Sequence, residues 1–355
     1  MTEPDFRPTE TMVEMPWQRL ADYLRASGMT LADDPAPRQF GGGMGNLNYL
    51  ITVDSAPMVL RRPPLGPIPP GANDMKREHR VLSRLWEAFP LAPRSRLYCE
   101  DADVLGAHFL IMEYRQGRAI IGSTWPAPVA ADDAAQQHIC RLMIETLAEL
   151  HAVDPAGIGL GEFGRPDGFL ARAVDGWAKR AEIAADEAPH PPTREVAEWL
   201  RDHMVPGGPP TLLHNDFKLD NMLFYPADQT RRVAVLDWDQ ATRGDPLFDL
   251  ATLLSYWTEP TDPEAMFTLN QMPTGSLGSM RRAEARDLYA KLTGRDLTDF
   301  RFHRVLGMFK LAVVFEQLFA QYRRGTVTDP KYRPFEAVAH GVMKMAHEVA
   351  RGRAD

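Results

Sequence analysis

The stretch HNDFKLDN, residues 214–221, is followed sixteen positions after its last residue by DWD, residues 237–239. Short apolar runs flank both stretches: LL at 212–213, MLF at 222–224 and VAVL at 233–236. Apolar runs of this length beside polar clusters are typical of short buried strands. The pattern therefore predicts that two polar clusters lie at strand ends and close together.

Three polar residues in these stretches fit the chemistry of phosphoryl transfer. In enzymes of this type, one Asp lies beside the acceptor hydroxyl, while an Asn and a second Asp hold Mg²⁺ on the nucleotide phosphates. Asp216, Asn221 and Asp237 are predicted to take these roles, and the interval of five from Asp216 to Asn221 matches the protein-kinase catalytic loop. Asp239 is a candidate for a second metal contact, with an exposed acid at a strand end as the alternative.

The other residues of the loop help to separate a kinase from other metal enzymes. Lys218 adds a positive charge that would offset the charge on the transferred phosphoryl group. His214 is interpreted as a structural residue that orients the loop. A metal-dependent phosphohydrolase is a weaker alternative, because such sites usually use several His ligands and His214 is the only one nearby. A noncatalytic ATP-binding regulator with a kinase fold is the other alternative, although Asp216, Asn221 and Asp237 are all present.

A glycine-rich stretch near the N-terminus predicts a phosphate-binding turn. GGGMGN at 41–46 lies between RQF at 38–40 and the apolar run LNYLITV at 47–53, which predicts strand, turn, strand. A dinucleotide-binding glycine motif would open a helix instead, whereas the glycine loop of kinases precedes a strand. An ordinary hairpin turn is the alternative. The residues predicted to contact phosphate through this turn are Gly42, Gly43, Gly45 and Asn46.

The strand predicted at 58–62 (MVLRR) occupies the place of the kinase strand whose Lys contacts the nucleotide phosphates. Arg61 is the aligned residue, and Arg62 is the alternative. Glu78 lies in a predicted helix at 74–86 and is suited to an ion pair with Arg61. A surface salt bridge is the alternative reading of this pair.

A predicted interlobe hinge follows the apolar strand FLIM at 109–112. The next residues, EYRQG at 113–117, resemble the end of a strand that runs into a connecting segment. Adenine would bond to the main chain at such a hinge. Met112, Glu113 and Tyr114 are the predicted positions of these contacts.

Most of the chain after residue 117 is predicted to be helical. Asp249 lies about one turn inside a largely apolar helix, where a buried carboxylate must be hydrogen-bonded. We predict that it anchors the backbone of the catalytic loop or His214. The segments at 157–180 and 258–280 are the least regular and are candidates to line an acceptor pocket, with simple packing as the alternative.

Composition predicts a soluble cytoplasmic enzyme. The chain has 355 residues, of which 44% are hydrophobic and 25% charged, and no apolar run approaches the roughly 20 residues of a membrane helix. No membrane span and no secretory signal are therefore expected. The net charge of −8 argues against nucleic-acid binding. Two cysteines, Cys99 and Cys140, cannot build a disulfide framework or a four-cysteine zinc site.

Several stretches together resemble the aminoglycoside phosphotransferase family, and within it the branch that animals fuse to acyl-CoA dehydrogenase domains. The resemblance covers roughly residues 36–345. It is carried by GGMGN at 42–46, VLRRPP at 59–64, REHRVL at 77–82, DVLG at 103–106, LHAVD at 150–154, the loop at 214–221, LDWD at 236–239, GDP at 244–246 and LTGRDL at 292–297.

This resemblance implies an α+β, protein-kinase-like fold with a small antiparallel β-sheet lobe and a mainly helical lobe. It implies an N-terminal helical extension at 1–35, a nucleotide-binding lobe at 36–116, and a lobe carrying the catalytic loop and acceptor site at 117–355. It also implies a small-molecule kinase that uses ATP, or GTP, with Mg²⁺. Antibiotic-modifying members usually carry Gly where Asn215 stands, and an uncharged residue or His where Lys218 stands. Asn215 also replaces the Arg through which protein kinases answer activation-loop phosphorylation, so we expect no such control.

The family includes enzymes with many acceptors, and the sequence narrows this choice only in part. An aminoglycoside site should show an acidic cluster for a polycation, and the run Glu259, Asp262 and Glu264 is short. We therefore expect a small-molecule hydroxyl acceptor, with acyl-CoA-like, lipid or other metabolite acceptors ahead of aminoglycosides.

Overall fold

A computed structural model of the chain describes residues 5–41, 45–66, 73–185 and 189–354. In chain order the helices and strands are α1 (Trp17–Ala26), β1 (Arg38–Gln39), β2 (Leu47–Val53), β3 (Ala56–Arg62), α2 (Met75–Leu82), β4 (Ser95–Cys99), α3 (Ala102–Leu105), β5 (Phe109–Glu113), β6 (Arg118–Ala119), α4 (Asp133–His151), α5 (Phe169–Ala184), α6 (Pro191–Asp202), β7 (Thr211–Leu213), β8 (Met222–Tyr225), β9 (Asp228–Val235), β10 (Thr242–Gly244), α7 (Pro246–Tyr256), α8 (Glu264–Thr268), α9 (Arg282–Thr293), α10 (Phe300–Arg323) and α11 (Phe335–Ala350).

The chain forms two compact units. Unit 1 is built from the described residues of Met1–Arg118, Ala156–Gly161 and Met222–Ala241, and unit 2 from those of Ala119–Pro155, Glu162–Asn221 and Thr242–Asp355. One unit contains a mainly antiparallel sheet and the other is mainly helical, so the predicted α+β class is confirmed.

Unit 1 is centred on a five-stranded antiparallel sheet with the strand order β1-β2-β3-β5-β4. Alternate residues of β2, namely Tyr49, Ile51 and Val53, are buried, as expected for a strand with one face on a core. Leu20 and Leu24 of α1 are fully buried in the same core. The N-terminal helix therefore packs with the sheet.

The hairpin of β8 and β9 also belongs to unit 1. These strands pair antiparallel, with Met222 opposite Val235, and the Val235 N–H donates to the Leu91 carbonyl at 2.8 Å. The sequence-based boundary at residue 117 assigned this hairpin to the helical lobe, and the structure groups it with the sheet instead. Long-range backbone pairing of this kind leaves no trace in the local pattern of residues.

Unit 2 is built around α10, which packs on α7 and α11. Gly307 explains how closely α10 approaches α7, because a Cβ at this position would lie 2.6 Å from the Ala251 carbonyl oxygen. The short strands β7 and β10 pair antiparallel, with Leu213 opposite Thr242. This pairing places the end of β7 beside the start of α7.

One helix in the described part of the chain, α10, has the length and hydropathy of a membrane span. Most of its residues are buried against other helices of unit 2. Its apolar character is therefore explained by its place in the core, and a membrane span is not indicated.

Candidate active site

The predicted catalytic loop follows β7 in unit 2 and ends in a 3₁₀ turn at Leu219–Asn221. Both oxygens of the Asp216 carboxylate have partners. The Tyr256 hydroxyl donates to Oδ1 at 2.9 Å, and the Lys218 Nζ lies 3.1 Å from Oδ2. The Asn221 Nδ2 donates to the Asp216 carbonyl at 2.9 Å. The structure thus brings three of the predicted site residues together around one carboxylate.

Charge around Asp216 keeps its carboxylate ionised. Burial alone would raise the pKa of Asp216, but the charge and hydrogen bond of Lys218, together with the nearby Lys310, outweigh this effect and hold the pKa below its usual range. Burial would likewise lower the pKa of Lys218, and Asp216, Tyr256 and Asp220 raise it well above its usual range instead. Both members of the pair are therefore charged at neutral pH. An ionised carboxylate can accept a hydrogen bond, and then a proton, from an acceptor hydroxyl.

Asp249 anchors the start of the loop, as the sequence predicted. Its Oδ2 accepts the His214 N–H and its Oδ1 accepts the Asn215 N–H, both at 2.7 Å, and its side chain is fully buried. His151 Nε2 lies 3.3 Å from Oδ2. Burial would raise the pKa of Asp249, but its bonds to His151 and to the backbone hold it below the usual range. A charged carboxylate therefore lies under the loop.

His214 lies beneath the loop, in contact with its backbone. Its ring is fully buried, and its Nδ1 accepts the Asp216 N–H at 3.3 Å. Asn215 adopts a left-handed backbone with φ of +66°, a conformation that Asn tolerates better than most residues. This backbone requirement supplies a physical reason for Asn at this position.

Unit 1 contains the second group of predicted residues. Arg61 Nε donates to Glu78 Oε2 at 2.8 Å, and both side chains are buried, so the predicted ion pair is present and is not a surface salt bridge. A second guanidinium nitrogen of Arg61 donates to Asp237 Oδ1. Arg62 points elsewhere, because it donates to the Pro63 and Leu105 carbonyls. Arg61, and not the alternative Arg62, therefore forms the pair with Glu78.

The Asp237 turn is held by the same glutamate. The Trp238 N–H donates to Glu78 Oε1 at 3.2 Å, and the Trp238 ring is fully buried. Asp237 has a left-handed backbone with φ of +68°, and its side chain is 38% exposed. Asp239 is buried, which excludes the alternative of an exposed strand-end acid, and its carbonyl accepts from Arg77 at 3.1 Å.

The predicted phosphate turn is only partly described. Gly42 and Gly43 lie outside the described residues. Gly45 is exposed, and a Cβ there would lie 3.3 Å from the Asn73 amide nitrogen. Asn46 Oδ1 accepts from that same nitrogen at 2.9 Å. The Asn46 side chain therefore joins the end of the turn to the segment before α2.

The predicted hinge positions differ in which of their backbone groups are free of other bonds and so available to adenine. Met112 is buried in β5, and the Glu113 N–H donates to the Arg94 carbonyl at 2.9 Å. An adenine contact at Glu113 would therefore have to use its carbonyl. The Tyr114 ring stacks on Phe40, with 6.2 Å between the ring centroids. This stacking joins the hinge to the strand before the glycine turn.

Two residues of the loop environment were not predicted from the sequence, Tyr256 and Lys310. Tyr256 lies seven residues after Asp249 on α7, and this spacing puts both on one face of the helix. That spacing was available in the sequence. Lys310 lies in α10 and donates to the Asn215 carbonyl. The available signal was a Lys within an otherwise apolar helical stretch.

The comparisons with known proteins agree with this geometry. The model of the APH phosphotransferase enzyme family matches residues 37–283, more than half of the chain, including both loops. The chain belongs to this phosphotransferase enzyme family. Membership confirms the predicted resemblance and makes the chain a kinase-type enzyme that transfers phosphoryl groups.

Relatives of this phosphotransferase include larger proteins. The Gallus gallus protein named acyl-CoA dehydrogenase family member 11 is 31% identical over 325 residues, which are 88% of this chain and 40% of that protein. The chain thus spans about two fifths of the length of that curated relative. The branch predicted from the sequence motifs is confirmed by this similarity.

Solved structures of related phosphotransferases share the fold. A Ralstonia eutropha protein with the provisional name aminoglycoside phosphotransferase is 26% identical, with a TM-score of 0.77 that covers 96% of this chain and 99% of that one. The aminoglycoside phosphotransferase APH(4)-Ia, solved with AMP-PNP and hygromycin B, is 15% identical, with a TM-score of 0.56 over 92% of this chain and 98% of that one. The kinase-like fold predicted from the sequence is confirmed.

Proposed function

We propose that the chain transfers the γ-phosphoryl group of ATP, or GTP, to a hydroxyl of a small molecule with the help of Mg²⁺. The observation that carries this proposal is the Asp216 carboxylate, which is ionised and 15% exposed and has Lys218 near one oxygen and the Tyr256 hydroxyl on the other. Family membership supports phosphoryl transfer in general. The proposal adds the donor nucleotide, the metal ion and the class of acceptor.

The site residues suit Mg²⁺ by their chemistry. Mg²⁺ prefers oxygen ligands and is usually held by one or two carboxylates together with substrate phosphates. Asn221, Asp237 and Asp239 are the residues that we propose as its ligands. The Asp237 side chain is partly exposed, and Asn221 uses its amide nitrogen within the loop, which makes its amide oxygen the atom suited to a cation. When bound, the ion would neutralise charge on the nucleotide phosphates.

The residues of the loop then have distinct roles. Asp216 accepts the proton of the acceptor hydroxyl as the hydroxyl oxygen bonds to the γ-phosphorus and the bond to the nucleotide's bridging oxygen breaks. Lys218, at 3.1 Å from Asp216, supplies positive charge beside the transferred group. In unit 1, Arg61, Asn46 and Gly45 are proposed to contact the phosphates, together with Gly42 and Gly43 of the same turn.

The adenine base is proposed to bond to the main chain at the hinge. Met112, Glu113 and Tyr114 provide the candidate atoms, and the Glu113 carbonyl is preferred over its N–H, which already donates to Arg94. Glu78 holds Arg61 in place and has no direct contact with the nucleotide in this proposal.

The experiment is a transfer assay with a panel of hydroxylated metabolites, comparing ATP with GTP and the presence with the absence of Mg²⁺. Asp216→Asn should lower kcat by about 10²- to 10⁴-fold while nucleotide affinity stays unchanged. Asp287→Asn, on an exposed position of α9, is the matched control and should behave as the wild type. Nucleotide binding without transfer would support a noncatalytic regulator, and phosphoester hydrolysis without nucleotide would support a hydrolase.

A cavity in unit 2 supports an acceptor with an apolar part. Its volume is about 360 Å³, within the range of roughly 300–1,000 Å³ of small-molecule sites. Trp125, Phe267 and Met272 supply apolar walls, while Gln136 and Thr258 supply polar groups. The described lining residues include no charged side chain. Such a cavity suits an acyl or lipid chain better than a polycationic aminoglycoside.

The cavity is linked to the catalytic base through the end of α7. Tyr256 bonds to Asp216, and Thr258, two residues further along, lines the cavity. The intervening Trp257 has an extended backbone, so Tyr256 and Thr258 lie about 7 Å apart along the chain. We propose that an acceptor presents its hydroxyl to Asp216 while its apolar part lies in this cavity. The irregular segment predicted at 258–280 contributes to this lining, whereas the segment at 157–180 does not.

A chain-length series of hydroxyacyl acceptors tests this part of the proposal. Phe267→Glu places a charge in the cavity wall and should raise KM more for long-chain acceptors than for short ones, with kcat little changed. Leu292→Glu, at an exposed position on α9, is the control. An equal effect of Phe267→Glu on all chain lengths would exclude the cavity as the site of the acceptor chain.

A further inference from the structure

Lys310 is a buried cation that the proposed chemistry does not use. It lies in α10 among apolar residues and is only 4% exposed. An amine in such surroundings is costly unless it is paired or hydrogen-bonded. Its Nζ donates to the Asn215 carbonyl, and it lies 5.4 Å from the centroid of the Phe248 ring. Lys310 thus directs its charge at the backbone of the catalytic loop.

The peptide units around Asn215 are held from two helices. Asp249 of α7 accepts the Asn215 N–H at 2.7 Å, and Lys310 of α10 donates to the Asn215 carbonyl. Asn215 itself has a left-handed backbone, which sets the direction in which the chain enters Asp216. Because the Asn215 carbonyl belongs to the peptide bond that joins it to Asp216, its hydrogen bond fixes the plane of the peptide next to the catalytic base.

Two further features of the packing support this arrangement. Gly307 lies one turn before Lys310, and it is where α10 comes close to Ala251 of α7. A larger residue there would move Lys310 away from the loop. Burial lowers the pKa of Lys310, and the nearby carboxylates of Asp216 and Asp249 oppose this effect.

We propose that Lys310 is a positioning residue for the catalytic base: it holds the Asn215 carbonyl, and thereby orients the Asp216 carboxylate for the acceptor hydroxyl. This inference rests on the proposed function, because it assigns Lys310 to the same transfer reaction. Lys310 acts through the loop and contacts neither acceptor nor nucleotide. Loss of its hydrogen bond should therefore affect turnover and leave nucleotide binding unchanged.

The test compares Lys310→Met, which keeps the length of the side chain without a donor, with Lys310→Arg, which keeps donor and charge. Misplacement of a catalytic group by about 1 Å can cost about 100-fold in rate. Lys310→Met should therefore lower kcat by about 10- to 100-fold with an unchanged Kd for ATP, and Lys310→Arg should recover part of that loss.

Arg304→Met is the matched control, because Arg304 is a buried cation of the same helix that donates to the Ser255 hydroxyl of α7. It should lower the Tm without lowering kcat at a temperature where the protein is folded. Wild-type turnover in Lys310→Met, with only a lower Tm, would overturn the inference and leave the proposed function intact. Absence of transfer by the wild type would overturn both. If Lys310→Met does not fold, Lys310→Gln, whose shorter side chain carries its donor closer to the helix backbone, replaces it. Lys310→Gln should then lower kcat more than Lys310→Arg does, and wild-type kcat in Lys310→Gln would overturn the inference.

Discussion

The Asp237 turn of unit 1 and the catalytic loop of unit 2 are built alike. Each follows a short strand, and each contains one residue with a left-handed backbone, Asp237 at φ of +68° and Asn215 at φ of +66°. In each, a buried carboxylate from a helix accepts backbone N–H groups of the turn: Glu78 in unit 1 and Asp249 in unit 2. A functional loop with an unusual backbone thus has a carboxylate beneath it in both units.

The two carboxylates differ in what compensates their charge. Asp249 accepts two backbone N–H groups at 2.7 Å and a third contact from His151, and these bonds hold its pKa below the usual range against burial. Glu78 accepts one N–H at 3.2 Å and bonds to Arg61 at 2.8 Å, and burial raises its pKa despite Arg61. Arg61 also bonds to Asp237, so its charge is shared between two acids.

This difference has a functional meaning. The catalytic loop is stabilised by groups that belong to the protein alone, so we expect its geometry to be independent of ligand. The Asp237 turn depends on an arginine that is also the predicted phosphate contact. A bound nucleotide should therefore change the balance of bonds in unit 1 and leave the backbone at Asn215 and Asp216 in unit 2 unchanged.

The largest effect is expected for Asp249→Asn. The amide has one acceptor oxygen for two backbone donors, so a buried N–H loses its partner, and stability should fall by about 3 kcal/mol. Denaturant unfolding measures the loss, with the exposed Asp287→Asn as a control that should change little. A loss of stability below about 1 kcal/mol would mean that Asp249 does not stabilise the loop.

Arg61→Met should have the next largest effect. It leaves Glu78 buried without its cation and should weaken nucleotide binding. The stability loss should be about 2 kcal/mol, below the roughly 3–5 kcal/mol of a buried pair that stays charged, because burial already raises the pKa of Glu78 and lets it take up a proton. Arg61→Lys should recover only part of the loss, because a single ammonium cannot reproduce the two separate bonds to Glu78 and Asp237. Nucleotide titration and unfolding measure both quantities, with Lys76→Met on the exposed face of α2 as the control. Full recovery by Arg61→Lys would contradict the conclusion that Arg61 bonds to both Glu78 and Asp237.

Tyr256→Phe should have a smaller effect, confined to unit 2. It removes the hydroxyl that donates to Asp216 at 2.9 Å, a bond worth about 1 kcal/mol, or about fivefold in kcat. Steady-state kinetics with one acceptor would detect the change, and Tyr98→Phe, in the sheet of unit 1, serves as the control. If nucleotide affinity fell and kcat did not, Tyr256 would have no part in holding the base.

The smallest effect concerns pH and His151. Burial lowers the pKa of His151 in the folded protein, although Asp249 opposes this. In the unfolded chain a His takes up a proton below about pH 6.5, whereas the folded protein keeps His151 neutral to lower pH. Stability should therefore fall as pH decreases from the unfolded value towards the folded one. His151→Gln should flatten this part of the curve of unfolding free energy against pH, and an unchanged slope would show that His151 has the same pKa in the folded and unfolded states.

The sequence could predict the parts of both loops that lie close together along the chain. The interval from Asp216 to Asn221, and the order of strand and helix around Arg61 and Glu78, are local patterns that the fold keeps. Tyr256 and Lys310 reach the loop across 40 and 95 residues, and only the packing of α7 and α10 decides that. Helix packing depends on details such as Gly307, which a hydrophobic pattern does not reveal.

The boundary between the two lobes likewise depends on contacts between distant parts of the chain. The β8–β9 hairpin follows the catalytic loop directly in sequence but groups with the sheet of unit 1. Its membership depends on contacts such as Val235 with Leu91, more than a hundred residues apart. The choice of Arg61 over Arg62 as the partner of Glu78 also depends on the register of β3. A shift of one residue along the strand would exchange the faces of the sheet on which the two side chains lie.

The most direct test of the comparison measures nucleotide affinity and turnover in Glu78→Gln and Asp249→Asn under conditions where both variants are folded. If the two carboxylates hold two loops with separate functions, Glu78→Gln should raise the Kd for ATP measured without Mg²⁺, whereas Asp249→Asn should lower kcat and leave that Kd unchanged. If both variants changed Kd and kcat in the same proportion, the two loops would not be separate functional parts, and the account would be wrong.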